Sequence, residues 1–573
     1  MEKIRRIKYL LKKNGLDGYL IPKNDEFFGE YVSDNKDNLK LISKFSGSYG
    51  FALILKKKNY LFVDGRYSLQ AKNESGTNFT IVTIPKKMPK DILKRKKILI
   101  GFDPKLFTDN SLLRLFSKTK CKLIPVKHNL VEQIKINRKK IKFKKFFFLQ
   151  DKFSGENLKK KIRKLLNILN AKKIDLQFIS APENVAWLIN IRGKDSEYSL
   201  LPNSYIILDS RGGIYLFCNY KKIDKNFKNK LKNISILDIS SIEKFLRSYK
   251  GKKIQIDTNT CSIYFKNIIR QQNFIVEKQD PIYFLKSIKN KTEIKNMIKA
   301  HIYDGAALTK FLFWLKNNFK RKKFTELQVQ KKLFDFRKNN RSFNSLSFPT
   351  ISGSGPNGAL IHYRANKKSD RTLKDGDIFL LDSGAHYKYG TTDVTRTISL
   401  GNTQSRIKNI FTRVLKGHIA VANFKLKKNT SGDEIDYVAR KPLKEINLDY
   451  AHGTGHGVGY FSNVHEGPQG ISRGNKIKLK EGMILSNEPG YYEKGKFGIR
   501  IENLIYISKK NKKLNKFENL TLVPIDKSLI EKKLLNKSEI EWINKYHKKV
   551  FTKLIKFMKK SEKINLENAC SNI

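Results

Sequence analysis

Two acidic hairpins constrain this chain more than any other feature. Residues 376–401, GDIFLLDSGAHYKYGTTDVTRTISLG, read as two strands joined by a turn at Lys388-Tyr389-Gly390. A turn centred close to residue 388 sets Asp382 almost opposite Asp393, and facing carboxylates repel. Asp382 also ends the apolar run Ile378-Phe379-Leu380-Leu381, which predicts that it is buried. Burying unpaired carboxylates is costly. A shared cation removes both problems; for one hairpin alone, a pair of solvated turn acids is the bland alternative. Residues 483–507, MILSNEPGYYEKGKFGIRIENLIYI, repeat the arrangement. A turn near Gly495 sets Glu488 across from Glu502. Two such hairpins with a histidine cluster between them argue against accident.

The cluster is HGTGHGVGYFSNVHEGP, with His452, His456 and His465. Its glycines disfavour a regular helix, so the spacing of His452 and His456 is not the helical zincin motif, and no Gly-Lys-Ser/Thr follows to make a phosphate loop. The same glycines permit close backbone approach. His362, in GALIHYRAN, is a fourth candidate; His128, His301, His386, His418 and His547 lack such context. Four carboxylates and an imidazole form a hard, oxygen-rich donor set. It favours Mn²⁺, or Co²⁺, Fe²⁺ or Zn²⁺ by availability, over a thiolate-type structural zinc. There are too many carboxylates for one ion. Two ions about 3.5–4 Å apart would use them, lowering the pKa of a shared water and polarising a carbonyl. Hydrolysis of an amide or ester is the natural chemistry.

The rest of the chain limits the setting. At ~150 residues per domain, 573 residues suggest three or four domains. Residues 2–14 pattern as an amphipathic helix; 18–22, 51–55, 59–64 and 97–103 pattern as short buried strands. A second unit begins near 155 with a helix, followed by strands at 175–180, 204–209 and 213–217. Two α/β units therefore follow one another, possible copies of one fold, with Lys-rich 138–145 between them as a linker or solvated edge. A long helix from about 291 opens the segment that carries the acids and histidines. Beyond 511, residues 519–526 look strand-like, a helix follows, and the last fifteen residues read as a frayed tail. The four cysteines are far apart with no CxxC pair, against a disulfide scaffold or zinc ribbon. No stretch reaches the ~20 apolar residues of a membrane span, and the charged N-terminus lacks the apolar core of a secretory signal. A cytoplasmic setting fits. The net charge of +65 invites a nucleic-acid reading. However, lysine runs through every segment instead of clustering, so no specific nucleic-acid partner is expected and the charge reads as compositional background with incidental, salt-dependent polyanion binding.

On LDSGAHYKYGTTDVTRT, HGTGHGVGYFSNVHEGP and SNEPGYYEKGKFGIRIEN, the chain resembles the three-domain Xaa-Pro aminopeptidases (aminopeptidase P) of the creatinase-like, pita-bread metallopeptidase superfamily M24. IPKNDEFFGEY, GSYGFAL, VDGRYSLQA and VKHNLVEQI resemble that family's first domain, APENVAWLINIRG its second, and FENLTLVPID with EIEWINKYHKKV the C-terminal extension of its long forms. The resemblance implies α/β and α+β domains: two creatinase N-terminal-like α/β domains at 1–145 and 146–287, a pita-bread catalytic domain at 288–510 and a C-terminal extension at 511–573. It implies that Asp382 binds one ion, that Asp393 and Glu502 bridge two, and that His456 and Glu488 complete the other ion's shell. Glu488 would also be the general base. His465 would stabilise the oxyanion or contact the substrate carbonyl, His362 and His452 would line the substrate site with His362 also a catalytic candidate, and Tyr492 and Arg500 match further active-site positions. For Arg500 the alternative is a structural role, holding a carboxylate in place. The implied reaction releases an N-terminal residue from peptides with proline second, by a homodimer. The alternatives are a prolidase, cleaving Xaa-Pro dipeptides, or a non-catalytic protein-binding creatinase-like module. A methionine aminopeptidase would lack the long N-terminal region.

Overall fold

The computed structural model describes residues 2–136, 143–509 and 515–573. Most of the Lys-rich 138–145 segment and the boundary at 510/511 lie outside them. The chain forms two compact units: residues 1–151 with 156–283, and residues 152–155 with 284–573.

The first unit contains two six-stranded sheets built from apolar runs. Strands β1 (Gly18–Pro22), β2 (Phe51–Leu55), β3 (Asn59–Asp64), β4 (Thr80–Ile84), β5 (Leu99–Phe102) and β6 (Lys122–Pro125) have the order β4-β3-β2-β1-β5-β6. Strands β7 (Leu176–Ile179), β8 (Tyr205–Asp209), β9 (Ile214–Cys218), β10 (Ser235–Asp238), β11 (Lys253–Ile256) and β12 (Phe274–Glu277) have the order β10-β9-β8-β7-β11-β12. Strand for strand the two orders are the same, and so are the directions: the first three strands of each set pair antiparallel and every other neighbour is parallel. The two units read from the sequence are copies of one fold. Both faces of each sheet are covered. Phe51, Leu53 and Leu55 enter one core while Ala52 and Ile54 enter another; Tyr205 and Ile207 are divided from Ile206 and Leu208 in the same way. Such burial on both faces makes these strands read as unbroken apolar runs.

The second unit opens with helix α1 (Lys291–Asn318), held at its start by a capping box between Asn290 and Glu293. Helix α2 (Glu326–Lys338) packs beside it. A three-stranded sheet follows, β13 (Ile351–Ser354), β14 (Asp377–Ser383) and β15 (Val394–Leu400), with β14 central. On β14, Phe379 and Leu381 face the core with α1 and α2, so Leu380 and Asp382 share the opposite face. Helices α3 (Ser405–Ala422) and α4 (Gly432–Lys444) cross closely at Gly417, where a Cβ would stand 2.3 Å from the Ala439 carbonyl oxygen. A five-stranded sheet then orders β17 (Glu466–Ile471), β16 (Gly455–Gly457), β18 (Ile484–Asn487), β21 (Asn503–Lys509) and β22 (Asn515–Asn519); β19 (Gly490–Glu493) and β20 (Phe497–Arg500) form a two-stranded ribbon.

Two readings of the C-terminal region are corrected. The last residues are not frayed: α6 (Lys560–Cys570) follows α5 (Lys537–Leu554), and Leu566 and Cys570 enter the same core as α3 and α5. The strand-like run at 519–526 pairs with no strand beyond Asn519. The N–H groups of Leu520 and Thr521 still reach the Leu504 carbonyl, and beyond them the backbone is satisfied by side chains. Arg396 donates to the carbonyls of Val523 and Pro524, Tyr546 donates to Val523, and Ile525 N–H donates to His547 Nε2 at 3.1 Å.

That last bond requires neutral His547 to accept at Nε2. Burial, with the charges of Lys527 and Arg396, holds its imidazole down to about 3 from an ordinary 6.5. His418, buried and also near Arg396, is likewise held down to about 3. Each folded-state pKa lies below its unfolded value, so the stabilisation is full above pH 6.5 and is lost as pH falls from 6.5 towards 3. Each histidine contributes a slope of up to about 1.4 kcal/mol per pH unit. Thermal unfolding of the full chain from pH 7 to pH 5 is expected to show a shallower fall of Tm in His547→Gln than in the parent. Equal slopes would contradict this account of His547.

Candidate metal centre

The two hairpins bring their acids together by different routes. In the first, Asp382 pairs with Thr395 and Ser383 with Val394. Asp382 is therefore two residues out of line with Asp393, further than the near-opposition expected, because the turn is centred between Lys388 and Tyr389. The chain leaves the ladder after Ser383, forms the short strands Ala385–Tyr387 and Gly390–Thr391 in another sheet, and returns at Val394. Asp393 lies two residues before Thr395, so the aspartates are diagonal neighbours. In the second hairpin, Asn487 pairs with Asn503 and Gly490 with Arg500. This common register sets Glu488 across from Glu502, where the ladder breaks. Their backbone N–H groups go elsewhere: Glu488 to the Thr454 carbonyl at 2.8 Å, Glu502 to the Thr395 carbonyl at 3.1 Å. Each glutamate is thus tied to a segment carrying other polar groups of the centre.

Asp393, His456 and Glu502 each present a donor atom within 4.8 Å of the other two. His456 Nε2 is 3.4 Å from both Asp393 Oδ2 and Glu488 Oε1. Its Nδ1 lies 2.9 Å from the Gly457 carbonyl, which can only accept, so Nδ1 carries a proton and Nε2 is the nitrogen facing the acids. Glu488 Oε1 accepts from Ser486 Oγ at 2.9 Å, and Glu502 Oε2 from Thr395 Oγ1 at 2.8 Å. Asp382 Oδ2 accepts from Arg500 Nη2 at 2.6 Å; its Oδ1 is buried with no hydrogen-bond partner among the described residues.

Electrostatically the cluster lacks positive charge. Burial raises Asp382 to about 7: Arg500 opposes the rise, Asp393 and Glu488 add to it. Burial also raises Glu502 far above the carboxylate range, with Asp393, Glu488 and Asp382 pushing the same way. Burial works against a charged His456, but its contacts with Asp393 and Glu488 outweigh that and lift the imidazole to about 9. An orphaned buried carboxylate oxygen, mutually repelling acids and a correctly oriented imidazole fit a pair of hard divalent cations.

Of the remaining predicted residues, Arg500, Tyr492 and His452 form one hydrogen-bonded line. Arg500 is buried; besides Asp382 it donates to Tyr492 Oη at 2.6 Å and to Thr395 Oγ1 at 3.1 Å. Its partners show that it holds a carboxylate in place. Tyr492 Oη is 3.0 Å from His452 Nε2, and His452 Nδ1 lies 2.8 Å from the Gly453 carbonyl. Burial raises the Tyr492 phenol to about 12, so it keeps its proton, accepting from Arg500 and donating to His452. The His465 ring stands edge-on to His456 with centroids 4.3 Å apart. His362 is half-buried, and the carbonyl of its neighbour Ile361 is 3.5 Å from Arg500 Nη2.

Sequence reasoning missed the groups behind this line. On α4, Asp436 and Arg440 form a buried ion pair; Arg440 donates to the carbonyls of Tyr450 and His452, and Asp436 accepts from Thr454 Oγ1. Their spacing, one helical turn apart, was the available signal. They fix the loop that delivers His452 and His456.

Comparison with known proteins gives the class. Residues 295–509 match metallopeptidase family M24, residues 3–135 and 137–293 each match the creatinase/prolidase N-terminal domain, and residues 513–573 match the C-terminal region of peptidase M24. Xaa-Pro aminopeptidase 1 of Dictyostelium discoideum is 37% identical, covering 98% of this chain and 94% of that protein. Aminopeptidase P2 of Arabidopsis thaliana is 35% identical over 96% of this chain and 86% of that protein. An X-prolyl aminopeptidase from Caenorhabditis elegans, described as a cytosolic enzyme with a di-nuclear active site, superposes with a TM-score of 0.95 and 31% identity over 100% of this chain and 99% of that one. A prolidase from Thermococcus sibiricus reaches a TM-score of 0.53 and 26% identity over 65% of this chain and 98% of that one. The chain belongs to the Xaa-Pro aminopeptidase family of the M24 metallopeptidases.

Proposed function

We propose that this chain is an Xaa-Pro aminopeptidase, hydrolysing the bond between an N-terminal residue and a following proline. The observation that carries the reading is the full-length similarity to Xaa-Pro aminopeptidases, in a chain whose clustered acids and His456 suit two divalent ions. We assign Asp382 to one ion, Asp393 and Glu502 as bridges, and His456 and Glu488 to the other. Mn²⁺ is favoured because the donors are mostly carboxylate oxygens. When bound, the ions supply Lewis acidity and neutralise the carboxylates.

The chain's own residues do the rest. Glu488 takes the proton from the attacking water, and the Ser486 hydroxyl fixes its carboxylate. His465, beside His456, hydrogen-bonds the oxygen on which negative charge develops. Arg500 orients Asp382, while Tyr492, His452 and His362 line the substrate site. The proline nitrogen of the substrate carries no N–H, so a site that recognises this bond must do so by shape and by its neighbours. The segments 1–145, 146–287, 288–510 and 511–573 are taken as the two N-terminal domains, the catalytic domain and its extension. A homodimer in the cytosol is the proposed working form; no helix among the described residues is long and apolar enough to cross a membrane.

The test is hydrolysis of Xaa-Pro-Xaa tripeptides and Xaa-Pro dipeptides, with metal analysis on the same sample. Mn²⁺-stimulated release of the first residue from the tripeptide is expected. Cleavage confined to the dipeptide would indicate a prolidase, and protein that binds no divalent metal would indicate a non-catalytic module.

A further inference from the structure

Behind the first hairpin lies an ion pair that no part of the chemistry above uses. Asp304, midway along α1, and Arg337, in the last turn of α2, are both buried; Arg337 has no exposed surface. Arg337 Nε donates to Asp304 Oδ1 at 2.8 Å and Nη2 to Oδ2 at 3.2 Å. The remaining bonds of the pair reach the hairpin. Arg337 Nη2 donates to Ser383 Oγ at 3.1 Å, and Nη1 lies 3.4 Å from the Gly384 carbonyl. Asp304 accepts from Thr392 Oγ1 at 2.9 Å and from the Tyr387 hydroxyl at 3.0 Å.

Ser383 directly follows Asp382, and Thr392 directly precedes Asp393. We infer that the Asp304–Arg337 pair positions the two aspartates, by bolting both edges of the hairpin, next to Asp382 and next to Asp393, to one rigid point. This rests on reading those aspartates as metal ligands.

Three observations support it. The strand pairs stop at Ser383–Val394 and resume at His386–Thr391, so Asp393 lies at a gap in the ladder that the ion pair braces from both sides. The two edges also touch: a Cβ on Gly384 would stand 2.0 Å from the Thr392 carbonyl oxygen and 2.3 Å from Ser347 Oγ, so the pair reaches both from one place. Finally, the pair is neutral overall and its hydrogen-bonding groups are well used, so it adds little net field and acts through geometry. Buried ion pairs can often be replaced by apolar residues of similar volume without loss of stability, which separates positioning from mere support. Asp304 and Arg337 are positioning residues; they do not touch substrate.

The test uses the full chain, stripped of metal and titrated with Mn²⁺ by calorimetry. Asp304→Leu combined with Arg337→Met is expected to keep the metal-free Tm close to the parent's while Mn²⁺ affinity falls by about 10–100-fold, as for other outer-shell partners. In the loaded enzyme kcat should fall with KM little changed. Ser383→Ala with Thr392→Val leaves the pair intact and removes its two ties next to the aspartates, those with Tyr387 and Gly384 remaining; affinity should again fall, and this variant decides the matter if the first does not fold. Parental Mn²⁺ affinity in either folded variant overturns the positioning role. A parent that binds no Mn²⁺ overturns the metal-centre reading as well, a different result from a parent that binds and variants that bind equally well.

Discussion

Glu488→Gln is expected to reduce kcat on an Xaa-Pro-Xaa peptide by about 10³-fold, within the range a positioned general base contributes. Gln keeps the shape and can still accept from Ser486, but it cannot take a proton. Glu488 is held at both ends: its backbone N–H by the Thr454 carbonyl and its carboxylate by Ser486. The variant should therefore fold and retain substrate affinity, because His452, Tyr492 and Arg500 are linked independently of it. Steady-state kinetics with a circular-dichroism check of folding suffices. A parental rate would remove Glu488 as the base.

Asp393→Asn is expected to act differently on the metal-free and metal-loaded protein, costing the loaded form far more. Without metal, Asp393 raises the proton affinity of both Asp382 and Glu502. Removing its charge relieves that repulsion but also weakens the contact that holds His456 charged, so the metal-free Tm should change little. With metal, a bridge is lost. At 1,000 times its dissociation constant, a ligand stabilises by about 4.1 kcal/mol, and a 100-fold weaker affinity leaves about 1.4 kcal/mol at the same concentration. The gap between the unfolding curves with chelator and with Mn²⁺ should therefore shrink, and metal analysis should show depletion at both sites. Depletion at one site only would contradict bridging.

Much of this was legible from local pattern. The strands of the first unit were visible because burial on both faces leaves unbroken apolar runs such as FALIL and YIILD. The second acidic hairpin was placed by the position of its turn, since its register runs unchanged across the break. The first was offset because its turn is centred between Lys388 and Tyr389, slightly later than the pattern suggests, while its register too runs unchanged across the step at Gly384 and Asp393. The run at 519–526 looked like a strand because it is apolar and buried, yet its backbone partners are the side chains of Arg396, Tyr546 and His547, far away in sequence. Arg337 was invisible for the same reason. Nothing near it in sequence distinguishes it from the other basic residues of a chain carrying 117 of them.

The break at Glu488 and Glu502 also bears on when this centre takes shape. Each hairpin can close on its own, through neighbours a few residues away. The bond from Thr395 to Glu502 spans 107 positions, and contacts that distant wait on costly loop closure. The two acidic pairs are therefore expected to meet each other late, after the local turns have formed. A growing chain then meets only the repulsion within each pair during its early steps, and a cation would enter a scaffold already built.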